Sequence, residues 1–122
     1  MDFKQWINDL HLENIVGNVR AFCFNLYESC EDEKFDAQLV GCERYDENND
    51  DWACKVIYSS EENLYSFNSE DWEHALVDFS HIVRQYLQQC EGSEKLKKAE
   101  YVAVGFVDGD LELIVKDNCL II

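Results

Sequence analysis

Residues 101–116 leave the chain little conformational choice. Val107-Asp108-Gly109-Asp110 carries the Asp-Gly pair that a two-residue type I′ turn requires, because both central positions of that turn take positive φ. Folding about Asp108 and Gly109 sets Phe106 against Leu111, Val104 against Leu113 and Val102 against Val115. That register makes one face wholly apolar and sends Tyr101, Gly105, Glu112 and Lys116 to the other.

The cover for such a face is legible upstream. Trp72, Leu76, Phe79, Val83, Tyr86 and Cys90 form a narrow stripe at about 100° per residue, which predicts a long amphipathic helix from roughly Glu70 to Cys90. Ser69 is placed to cap it, Glu70 and Asp71 to favour its first turn, and Gly92 to stop it. Phe3, Ile7 and Leu10 predict a short N-terminal helix, with Asp2 at its start and Gly17 beyond its end.

Between the helices the period is two. Val19–Tyr27 reads as a strand with Phe22, Phe24 and Leu26 on one face. Phe35, Ala37 and Leu39 alternate with Asp36 and Gln38, so a second strand, antiparallel to the first, follows the acidic turn 31–34 and runs to Tyr45. Trp52, Cys54, Val56 and Tyr58 predict a third, and Leu64–Phe67 a brief fourth. The expected fold class is α+β: a mainly antiparallel sheet of about five or six strands, closed by the Asp-Gly hairpin, with one short helix and one long amphipathic helix packed on it. With no proline, linker or internal repeat, residues 1–122 read as a single domain.

Charge narrows the function. Twenty-six acidic against ten basic residues give −16, yet the chain is 47% hydrophobic and 13% aromatic, so it is a globular acidic protein and not a disordered tail. From Glu28 to Asp51 ten acids face two bases, and from Val56 to Val83 six acids face none, which places −8 and −6 in two stretches. Direct nucleic-acid binding is disfavoured, since phosphate recognition rests on Lys and Arg. The first residues show no secretion signal and no run is long and apolar enough for a membrane, so a cytoplasmic location with reduced cysteines is expected.

No catalytic constellation stands out, and the chain reads as a non-enzyme without cofactor or metal. Asp46, Asn48 and Asp50 begin a calcium-loop spacing, but position six is Asp51 and position twelve is Ile57, where Gly and a bidentate Glu are needed. His74, Asp78 and His81 share a helix face opposite the apolar stripe, which reads as a solvated face. No Cys-x-x-C pair occurs, and the six cysteines read mostly as buried small hydrophobes. No nucleophile elbow or oxyanion-forming glycine loop surrounds any Ser, Cys or Thr, so a small hydrolase is the least supported reading.

What remains is a surface of carboxylates interleaved with Tyr45, Trp52, Tyr58, Tyr65 and Trp72, aromatics of the kind that anchor interfaces. The residues expected to meet a partner are Glu43, Asp46, Glu47, Asp50, Asp51, Trp52, Glu61, Glu62, Glu70, Asp71 and Glu73. The alternatives are a merely solvated face on a housekeeping interaction module, or a small-ligand-binding module without catalysis.

The segments Phe35-Asp36-Ala37-Gln38-Leu39-Val40-Gly41, Asp50-Asp51-Trp52-Ala53-Cys54 and Val104-Gly105-Phe106-Val107-Asp108-Gly109-Asp110-Leu111 resemble small acidic bacterial immunity proteins of polymorphic toxin and contact-dependent inhibition systems. The resemblance implies a protein made beside a toxin, often a basic nuclease, that inactivates it by stoichiometric binding. Complementary charge would speed that encounter.

Overall fold

The computed structural model describes residues 2–44, 56–88, 94–106 and 111–120. The first helix, α1 (Phe3–Leu10), opens on Asp2, whose carboxylate accepts the Gln5 N–H at 2.8 Å and so satisfies a donor the helix cannot. It closes on His11, which takes the left-handed conformation at φ 51° and returns its N–H to Asn8, well before Gly17. A single 3₁₀ turn, Leu12–Asn14, follows.

β1 (Ala21–Glu28) and β2 (Lys34–Cys42) form the expected antiparallel hairpin, in register from Ala21–Cys42 to Glu28–Phe35. β3 (Val56–Ser59) and β4 (Tyr65–Asn68) share the outer edge of β2, β3 beside Val40–Cys42 and β4 beside Lys34–Ala37. Trp52 and Cys54, expected in the third strand, lie outside the described residues. The remaining elements are α2 (Trp72–Gln88), the short α3 (Glu94–Lys97), β5 (Tyr101–Phe106), β6 (Glu112–Lys116) and β7 (Cys119–Leu120).

The strands make one seven-stranded sheet in the order β3-β2-β1-β5-β6-β7, with β4 also on β2. The sheet is mostly antiparallel, but its central pair, β1 and β5, is parallel. Parallel neighbours cannot be joined by a tight turn, and here residues 29–100 make the crossover, α2 included. The seventh strand comes from a two-residue turn, Asp117-Asn118, with both residues at positive φ (51° and 66°), the conformation that an Asp-Gly pair also favours. Asn118 Nδ2 donates to the carbonyls of Lys98 and Ala99, fastening this turn to the start of β5.

The C-terminal hairpin is present, with a corrected register. Val102 pairs with Val115 as expected, but Ala103 then meets Leu113 and Val104 meets Glu112, leaving Ile114 as an extra residue in a bulge. Asp108 and Gly109 themselves lie outside the described residues. The bulge turns Leu111 and Leu113 toward the second face of the sheet and buries Ile114 under the helices. Glu112 therefore points to the helix-covered face and not away from it. There its carboxylate, only partly covered, accepts from Ser80 Oγ and from Arg84 Nη2 of α2, each at 3.1 Å.

The main core lies between that face and the helices. Phe22, Phe24 and Leu26 of β1, Leu39 of β2 and Val102 and Val104 of β5 pack under Phe3, Trp6 and Ile7 of α1 and Phe79, Val83 and Tyr86 of α2. The Phe3 ring lies between 5.4 and 5.8 Å from those of Trp6, Phe24, Tyr65, Phe79 and Tyr86. Trp6 is fully buried, and its indole N–H donates to the Asn63 carbonyl at 3.1 Å. On the opposite face a smaller cluster joins Ala21, Cys23, Val40, Cys42, Tyr101 and Ala103. Cys23 and Cys42 are thus buried, whereas Cys30 and Cys119 are exposed; Cys54 and Cys90 lie outside the described residues.

Two expectations about α2 change. Its cap is Asp71, not Ser69: the Asp71 carboxylate accepts the His74 N–H at 2.8 Å, while Ser69 Oγ donates to Asp78 at 2.9 Å. Trp72 lies at the correct angle for the buried stripe yet is 54% exposed, because the first turn of the helix overhangs the core and meets the ring of Phe106. Phe79→Ala should accordingly cost about 3–5 kcal/mol and Trp72→Ala only about 1 kcal/mol in urea unfolding, although both sit on one stripe. Equal losses would contradict this packing.

Candidate partner-binding surface

The parallel pairing of β1 and β5 gives the molecule two electrically unlike ends. Both strands start at one end, where Arg20 precedes Ala21, and where α3, carrying Lys95 and Lys97, and then Lys98 precede Tyr101. Both finish at the other, where Leu26 aligns with Phe106, Glu28 ends β1 and the β1–β2 turn carries Glu31, Asp32 and Glu33.

Strand β4 brings the second acidic stretch to that same end. Its last residue, Asn68, pairs with Lys34, and the next N–H, of Ser69, donates to the Glu33 carbonyl at 2.9 Å. Glu70, Asp71 and Glu73, all exposed, therefore start α2 beside the β1–β2 turn. Lys34 is the one Lys or Arg from Glu28 to Asp36, and its Nζ is engaged by Glu31 at 3.2 Å. Asp36 accepts from Ser66 Oγ at 2.6 Å across the β2–β4 pair.

Glu61 and Glu62 occupy the β3–β4 turn alongside the middle of β2, on a firmly held backbone. Ser60 exchanges backbone and hydroxyl bonds with Leu39, Gln38 Nε2 donates to the Glu61 carbonyl, and Glu61 N–H donates to Ser59 Oγ. Glu43 stands apart, just past Cys42 at the end of β2 distant from Lys34, about 30 Å away at the rise of a strand. Asp46, Glu47, Asp50, Asp51 and Trp52 lie outside the described residues. The structure thus joins Glu70, Asp71 and Glu73 with turn acids 31–33, which are not among the residues expected from sequence to meet a partner, and separates them from Glu43. The signal for the turn acids was their count; what no periodicity carried was the β2–β4 pairing that places them.

The basic residues at the opposite end are largely engaged. Arg20 Nε donates to Glu100 at 2.7 Å with its guanidinium 5.9 Å from the Tyr101 ring centre, Lys98 lies 3.4 Å from Glu94, and Lys95 Nζ donates to the Ile15 carbonyl. A cleft of ≈ 520 Å³ opens there between α1 and α3, lined by Lys4, Ile7, His11, Glu13, Glu94 and Lys95. Its polar walls are mostly exposed and engage one another, as in His11 with Glu13 at 3.4 Å, which is not the convergent, desolvated polar set that small-ligand sites use.

His74, Asp78 and His81 lie on the exposed side of α2. His74 Nδ1 is 2.8 Å from the capping Asp71 carboxylate, and its Nε2 is 3.9 Å from Glu70. The bond to Asp71, then the charges of Asp71, Glu70 and Asp78, raise the His74 pKa above its ordinary 6.5. The Asp71 pKa is lowered, first by the His74 backbone N–H. Among the described residues no group of three or more His, Cys, Asp or Glu is placed to hold a metal ion, and no helix is long and apolar enough to cross a membrane.

Compared with known proteins, the chain matches no family model, no curated protein and no solved structure.

The sign of the pH dependence follows from these shifts. The raised His74 pKa stabilises the fold fully below 6.5, and this contribution is lost as pH rises through the higher folded value; the lowered Asp71 pKa contributes above 3.8 and is lost as pH falls. An NMR titration should place the His74 midpoint above 6.5, and Asp71→Asn, which keeps a capping oxygen, should lower it. A midpoint unchanged by Asp71→Asn would refute the coupling.

Proposed function

We propose that this chain is a bacterial immunity protein that binds a basic toxin domain, for which a nuclease is the best-fitting class, and neutralises it by stoichiometric association in the cytoplasm. The observation that carries the reading is the junction at Ser69, where two acidic stretches far apart in sequence become one electronegative end. Like charges gathered this way repel and weaken the compact state, a cost that a surface role in binding accounts for and a packing role does not. The resemblance of the strand and hairpin segments to small acidic immunity proteins supports the same class.

The mechanism needs no turnover. With the turn acids 31–33 and Glu70, Asp71 and Glu73 gathered at one end, and the bases of the other end largely paired with carboxylates of their own, a cationic partner is drawn to the acidic end first. On a nuclease, the carboxylates would occupy ground shaped for phosphates, excluding the nucleic acid by competition.

The test uses the native partner. A basic effector co-purified from the host, then produced as an isolated domain, should associate with a rate that falls about tenfold or more between low and high salt. Neutralising Glu31, Asp32, Glu70, Asp71 and Glu73 together, as Gln or Asn, should slow association about tenfold with the fold retained, while Glu43→Gln, at the distant end, should change it little. A rate indifferent to salt and to the fivefold neutralisation would sink the proposal. Replacing Asp46, Glu47, Asp50 and Asp51 in the same way tests the loop expected from sequence.

A further inference from the structure

We propose that Trp72 is the anchor of the interface, a preset aromatic platform that receives an arginine side chain of the basic partner; this rests on the reading just given and assigns its central contact. Trp72 is 54% exposed although it begins the apolar stripe of α2. Its indole rests against a neighbour: it stands edge-on to Phe106, with centroids 6.3 Å apart at 88°. Phe106 stands edge-on to Phe35, which stacks on Phe67, so a line of rings runs from the core to the surface and backs the last one. An aromatic fixed before binding loses little freedom on contact, which is what makes Trp effective at interface centres.

The surroundings choose the occupant. Glu70, Asp71 and Glu73 flank Trp72 in the chain, exposed at the start of α2, and the turn acids 31–33 lie across the Ser69–Glu33 bond. A guanidinium stacked on an indole face with carboxylates at its rim satisfies both its planar cation and its N–H donors, and Trp is the best ring for that contact. A second copy of this chain is disfavoured as the occupant, because a two-fold contact would bring the same acidic rim against itself between chains of charge −16. An anionic lipid surface or a nucleic acid is repelled for the same reason. A lysine offers the charge but not the planar stacking, so arginine is the specific prediction.

The test uses short Gly/Ser peptides bearing spaced arginines, with lysine twins of equal charge, titrated into the full chain and followed through the Trp72 indole N–H in NMR spectra. The arginine peptide should shift that signal and bind more tightly than its twin, with Trp72→Ala weakening it about five- to tenfold and Trp72→Phe restoring part of the loss. Circular dichroism and urea unfolding confirm that both variants are folded. If Trp72→Ala binds the arginine peptide as tightly as the wild type while neutralising Glu70, Asp71 and Glu73 weakens it, the anchor is overturned and the acidic interface stands. If neither change alters peptide binding, the basic-partner reading falls with it.

Discussion

The parallel contact between β1 and β5 is the constraint on which the rest of the molecule hangs. Phe22, Phe24 and Leu26 align with Val102, Val104 and Phe106 across it, so the two most apolar strands meet at the sheet centre with their large side chains on one face. β2, and through it β3 and β4, attaches on one side; β6 and β7 attach on the other. Without this pairing the sheet would divide into a four-stranded and a three-stranded part, and the core that both line under the helices would be split. It also requires a crossover of some seventy residues, whose entropy of closure grows only slowly with length, so the cost is felt more in folding rate than in stability.

From the same pairing comes the electrical polarity. Because β1 and β5 run the same way, whatever precedes them collects at one end and whatever follows them at the other. Arg20 and the lysines of 95–98 precede; the acidic β1–β2 turn follows β1, and Phe106, on which Trp72 rests, ends β5. The start of α2 reaches the acidic end only because β4 pairs with the first half of β2, a contact of four residues on each strand.

Burial of polar groups is resolved locally wherever the sheet forces it. Buried Ser80 of α2 donates to Glu112, the Trp6 indole donates to the Asn63 carbonyl, and Tyr101 donates its hydroxyl to Asp117 at 2.8 Å. Among the described residues no buried side-chain nitrogen or oxygen lacks a partner. The acidic end is built differently: several of its carboxylates are exposed, and two of them converge on one imidazole, His74, whose protonation is favoured for that reason.

By itself the sequence determined the elements. The first strand, the β1–β2 hairpin, the long amphipathic helix and the existence of the C-terminal strand pair, though not its register, follow from periods of 2 and 3.6, which act over a few residues. Even the seventh strand had its signal, Asp117-Asn118, in the same chemistry as Asp-Gly. Only the tertiary structure decided the β1–β5 pairing, the bulge at Ile114 that turned Glu112 inward, and the exposure of Trp72. Each depends on what lies opposite an element, and a local period cannot report that. A stripe on a helix says which face is apolar; where the core ends beneath it is set by strands distant in sequence. The acidic residues were countable from the start, but their gathering at one end was fixed by a backbone bond between Ser69 and Glu33, which no pattern of side chains encodes.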